Sequence, residues 1–206
     1  MKPPSSAIDS ALLDVRKAYR LLHDYQRMVL DAVTYLGNQL GLTYAGGWPK
    51  FSAATPRRGG GKLDNWAWDW LNMMEYDFHF TRDLAGGKTL SLSMLLISDT
   101  GYFCSHQKSP QQTETADFLP PEESQTKIGF VISATDLKPE FMEDREAMKI
   151  FIETGGELPD AFRWKGIVTR CYDLARLMSE ESTNALIDEL ISAAKKAGVA
   201  LERIPK

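Results

Sequence analysis

Met74-Glu75-Tyr76-Asp77-Phe78-His79-Phe80-Thr81, then Asp83-Leu84-Ala85-Gly86-Gly87, then Thr89-Leu90-Ser91-Leu92-Ser93-Met94-Leu95-Leu96 is the stretch that decides the fold. Apolar and polar residues alternate with period two on both sides of the Gly-Gly pair, which predicts a β-hairpin with one buried face. Tyr76, Phe78, Leu92 and Met94 belong to that face. Parity then constrains the turn. A two-residue Gly86-Gly87 turn would set Phe80 against Ser93 and mix the faces. A three-residue loop or a bulge keeps apolar opposite apolar.

Upstream the period changes. Leu12, Val15, Tyr19, Leu22, Gln26, Val29, Val33, Leu36 and Leu40 recur at alternating steps of three and four, with Arg16, Lys17, Arg20, Asp24, Arg27 and Asp31 elsewhere. This predicts an amphipathic helix of about 30 residues between Ser10 and Gly41, roughly 45 Å long. The spacing suits a coiled-coil seam as well, so a homo-oligomer through this helix is one expectation. The width of the stripe favours packing across the domain's own sheet. Between helix and hairpin, residues 42–65 read as a long Gly- and Pro-rich connection.

Downstream, Asp99-Thr100-Gly101 reads as a turn into a short strand at Tyr102–Ser105, and residues 107–125 as a solvated loop. Lys127–Ala134 is a buried strand. A helix from Pro139 to about Thr154 turns Phe141, Met148, Phe151 and Ile152 inward. Phe162–Cys171 is a further strand, and Glu180–Ala197 a last helix capped by Ser179 and stopped by Gly198. The expected fold is a single α+β domain over residues 1–206. A mostly antiparallel sheet of four or five strands packs on one face against the long N-terminal helix and the C-terminal helices. Mobile loops are expected near 52–63 and 107–125.

The composition of the 206 residues is that of an ordinary globular chain, with a net charge of -4 that disfavours a general nucleic-acid or anionic-membrane binder. The apolar runs are shorter than a membrane span. Cys104 and Cys171 fit neither a disulfide framework nor a zinc site, which points to a soluble protein of the reducing cytoplasm.

Three groups of residues could carry function. Glu75, Asp77 and His79 emerge on one strand face, successive ones roughly 6.6 Å apart. Two carboxylates and an imidazole could bind a divalent metal or work as acid and base, as in a metal-dependent phosphodiesterase or nuclease-like enzyme. The simpler reading is the wet side of a half-buried strand. The run Arg57-Arg58-Gly59-Gly60-Gly61-Lys62 carries cations on a glycine-rich tip without a P-loop context. Trp66, Trp68 and Trp70 follow it as aromatic anchors of the kind enriched in binding hot spots. Arg57, Arg58, Lys62, Trp66, Trp68 and Trp70 are thus the partner-binding candidates. No catalytic fingerprint appears and no cofactor is implied. The expectation is a non-catalytic interaction module or accessory subunit acting through a protein partner. A nucleic-acid-binding module is a further alternative.

Overall fold

The structure is a computed structural model, and it describes residues 5–52, 71, 74–105, 115–134, 140–163 and 166–204. The elements in chain order are helix α1 (Ser5–Gln39), strands β1 (Thr43–Lys50), β2 (Glu75–Leu84) and β3 (Lys88–Ile97), and a one-turn helix α2 (Gly101–Cys104). Strand β4 (Lys127–Ser133), helix α3 (Arg145–Glu153), strand β5 (Ile167–Asp173) and helix α4 (Glu180–Lys196) follow. The strands form one antiparallel sheet in sequence order, β1-β2-β3-β4-β5. The fold is α+β, with a long N-terminal helix and C-terminal helices, as the sequence indicates.

The hairpin takes the register that parity demands. Leu84 pairs with Lys88 across the three-residue loop Ala85-Gly86-Gly87, and Phe80 stands opposite Leu92. Both glycines have positive φ, 79° and 71°, where a side chain would be strained. The caps of α4 also follow the sequence. Ser179 Oγ accepts from Ser182 N at 3.1 Å, Glu180 and Glu181 occupy the first turn, and Lys195 and Lys196 the last, each complementing the helix dipole.

Three expectations are corrected. Thr43–Lys50, expected as part of a connection, is an edge strand, β1. Pro49 is tolerated because an edge strand can leave one side unbonded, and Ala45 is bulged out where the register shifts between Tyr44 and Gly46. Tyr102–Ser105, expected as a strand, instead forms α2 up to Cys104, with Ser105 as its extended C-cap. Asp99 Oδ1 accepts from Gly101 N at 2.7 Å, and the amides of Phe103 and Cys104 close on the Thr100 carbonyl, so the Asx turn runs into a helical turn.

The third correction matters most. The sheet is covered on both faces, where helices on one face were expected. One face carries Phe78, Phe80, Leu92, Met94, Ile128 and Phe130 against Val29, Val33, Leu36 and Leu40 of α1 and Leu186, Ile187 and Leu190 of α4. The opposite face carries Leu95, Ile97, Val131 and Cys171 against Phe103 of α2, Phe141 and Met142 of a 3-10 turn, and Met148, Phe151 and Ile152 of α3. Asp144 caps α3 by accepting from Ala147 N at 2.9 Å, so the helix begins six residues after Pro139.

Of the expected loops, 53–63 and 107–114 lie outside the described residues. Residues 115–125 are strapped to the end of β3. Thr115–Asp117 is a 3-10 turn, Leu119 N donates to Gly101 O at 3.3 Å, and Gln125 N donates to Thr100 Oγ1 at 2.8 Å.

Candidate functional site

Glu75, Asp77 and His79 share one face of β2, as their spacing requires, but that face is inside the protein. Their exposures are 0%, 0% and 7%, so the reading of a wet strand face is corrected. The cause is the second layer of cover, α3 with its neighbouring turns. Ser93 of β3 stands opposite His79 and links two of the three residues. Its hydroxyl lies 3.2 Å from His79 Nδ1 and donates to Asp77 Oδ2 at 3.4 Å, so it is within hydrogen-bond reach of both. On the other flank, the Trp48 ring lies 6.0 Å from the His79 ring.

Glu75 is different. Both of its carboxylate oxygens are buried with no hydrogen-bond partner among the described residues. Burial pushes its carboxyl well above the usual carboxylate range, and the neighbouring Asp77 pushes it further, against a smaller opposing pull from Lys50. The neutral, protonated form is therefore favoured. Cys171, on the same face of β5, is pushed up to about 12, first by burial. Among the described residues, no group of three or more His, Cys, Asp or Glu side chains is arranged to hold a metal ion.

Arg57, Arg58, Lys62, Trp66, Trp68 and Trp70 all lie outside the described residues. Arg163, within the strand expected at Phe162–Cys171, precedes β5 and donates from Nε to Leu158 O at 2.7 Å.

The structure also leaves uncovered much of the α1 stripe, whose width favoured packing across the domain's own sheet. Helix α1 spans 35 residues, about 52 Å, whereas a ten-residue strand spans about 33 Å. Only its last third meets the sheet. Val29, Val33, Leu36 and Leu40 are buried, but every residue from Ala7 to Asp24 is exposed. At 100° per residue, Ile8, Leu12, Val15, Tyr19, Leu22 and Leu30 fall within about 80° of arc, so they form one apolar stripe. Tyr19 is 65% exposed and the others between 45% and 49%. The signal was present in the sequence as helix length. A helix this long overruns the sheet it covers.

The stripe leads into a groove of about 690 Å³ between α1 and the β1 edge of the sheet. Leu30, Val33 and Asn38 line it from the helix, and Tyr44, Tyr76 and Phe80 from the strands; no charged side chain takes part. Tyr44 is 52% exposed and its ring packs edge-on against Phe80 at 5.4 Å. A second groove of about 530 Å³ flanks the other side of α1, toward the start of α4, and is lined by Asp24, Arg27, Asp31 and Glu180 besides Met28 and Tyr35.

Among the described residues, no helix is long and apolar enough to cross a membrane. No curated protein and no solved structure matches the chain. The family model described as PM0109 matches residues 5–200, nearly the whole length, and the chain belongs to the PM0109 family.

Proposed function

We propose that this protein is a non-catalytic interaction module or accessory subunit that acts through a protein partner, and that α1 is its docking element. The observation that carries the proposal is the exposed run from Ala7 to Asp24 with its apolar stripe. Apolar side chains kept in water forgo roughly 1.5–3 kcal/mol each relative to full burial. A contiguous apolar patch of this kind marks an interaction site more often than chance exposure. The Glu75, Asp77 and His79 lane, at 0%, 0% and 7% exposure, offers a substrate no comparable surface.

The basic run Arg57, Arg58 and Lys62 and the aromatic run Trp66, Trp68 and Trp70 extend the proposal from sequence. Cations speed encounter with an acidic surface, and tryptophans supply buried area. Two free thiols, Cys104 and Cys171, suit a reducing compartment such as the cytoplasm. The test is photo-crosslinking in the native host, with the reactive residue placed at Leu12 or, as control, at the hairpin residue Lys88. Protein adducts specific to Leu12 support the module. Adducts that are absent, or equal from both positions, contradict it.

A further inference from the structure

The stripe and the groove lie on the same side of the same helix. The stripe residues and the groove residues Gln26, Leu30 and Val33 occupy one arc of α1, and Gln26 stands between the two halves. The exposed stripe from Ile8 to Leu22 covers about 21 Å of helix, and the groove alongside Gln26 to Asn38 about 18 Å. Each half lacks what the other half would supply. The stripe has no cover, and the groove has no occupant. Neither carries a charge, which fits the depletion of charged residues at interface cores.

We infer that the partner of α1 is a second copy of this chain, bound antiparallel about a two-fold axis that crosses the stripe at the level of residue 24. The inference rests on the interaction-module reading and names its partner. In this arrangement the Ile8–Leu22 stripe of one copy lies in the groove between α1 and β1 of the other, and the exchange is reciprocal. The three-four spacing fixes the register. Leu22 of one copy lies level with Gln26 of the other, Tyr19 with Leu30 and Val15 with Thr34, residues that line the groove. A two-fold interface uses one patch twice, so a surface that contains both a stripe and its matching groove is self-complementary. The exposed parts of the stripe, Leu30 and Tyr44 amount to roughly 700 Å² per copy, close to the ~800 Å² per partner of a stable interface. The second groove is the weaker seat, since burying its charged lining carries a desolvation cost.

The test is the mass of the full chain in solution across a dilution series, read by sedimentation equilibrium, for the wild type and three variants. The wild type is expected at twice the monomer mass at micromolar concentration. Tyr19→Glu is expected to raise the dissociation constant roughly 30-fold or more, as at a hot-spot position. Tyr44→Glu, on the sheet side of the groove, is expected to raise it as well. Leu21→Glu, 70% exposed on the opposite side of α1, is expected to leave it within about threefold. Circular dichroism checks that each variant keeps its helix content.

A wild type that is monomeric at every concentration overturns the second copy as partner. Photo-adducts from Leu12 to a different protein would then keep the interaction-module reading alone. A dimer broken by Tyr19→Glu but untouched by Tyr44→Glu overturns docking in the groove. A dimer broken by Leu21→Glu in place of Tyr19→Glu puts the contact on the other flank and overturns the proposed register.

Discussion

Glu75 stands directly opposite Lys50 across the β1–β2 ladder, yet the ammonium of Lys50 is paired elsewhere, with Glu143 Oε1 at 2.8 Å. The nearest cation on the facing strand is thus already engaged, and the Glu75 carboxyl is buried beside a second carboxyl, Asp77. Burial raises the folded-state pKa of Glu75 well above its ordinary value of 4.5. An acid shifted in that direction gives its full contribution to stability below about pH 4.5. It loses that contribution as pH rises through the folded-state value, because the unfolded chain ionises first.

Glu75→Gln removes the titration. The stability difference between the variant and the wild type should therefore shift in favour of the variant from pH 5 to pH 8. Urea melts at both pH values read the difference. A gap that stays constant, or moves the other way, contradicts a neutral buried Glu75.

Gly129 of β4 sits under the Phe151 ring of α3. A Cβ built at Gly129 would come within 2.7 Å of that ring and 3.2 Å of Leu95. The missing side chain is what lets α3 lie close to the sheet and seal the Glu75 face. Gly129→Ala should cost about 1–3 kcal/mol by overpacking. Adding Phe151→Leu should cost less in that background than in the wild type, since the two changes share one contact. Strict additivity in thermal melts would contradict the close approach.

Cys171 is buried and its thiol is pushed up to about 12, which leaves roughly one part in 10⁴ as thiolate at pH 8. Cys104 is half-exposed and is also raised, chiefly by burial. A disulfide-exchange reagent should titrate Cys104 slowly in the native protein and Cys171 only on unfolding. Fast reaction of two thiols under native conditions would contradict the burial of β5.

Much of the fold was legible because single residues carried the signal. Phe80 and Leu92 fixed the hairpin parity, and Ser179 and Gly198 bounded α4. β1 was not legible, because Gly46, Gly47 and Pro49 are all poor strand formers and only pairing with β2 holds them extended. The burial of Glu75 was hidden for a different reason. Strict alternation reads the same whether the polar face meets water or a second layer. The clue lay in α3. Its apolar residues Met148, Phe151 and Ile152 needed a sheet face, and α1 with α4 already occupied the other. The stripe on α1 was legible as a periodicity. Which half of it meets the sheet was not, since both halves repeat in the same way.

Hydrogen exchange along α1 of the full chain, at two protein concentrations, reads directly whether its N-terminal half is uncovered. A helix that projects without cover is only marginally stable in water, whereas amides over a packed core open rarely. In dilute solution the amides of residues 7–24 should exchange far faster than those of residues 29–40, which lie over the core. At high concentration residues 7–24 should slow by at least about tenfold as partner cover forms, with residues 29–40 little changed. Equal protection of both halves at the lower concentration would show that the stripe is already packed within its own chain. That result would contradict α1 as a docking element.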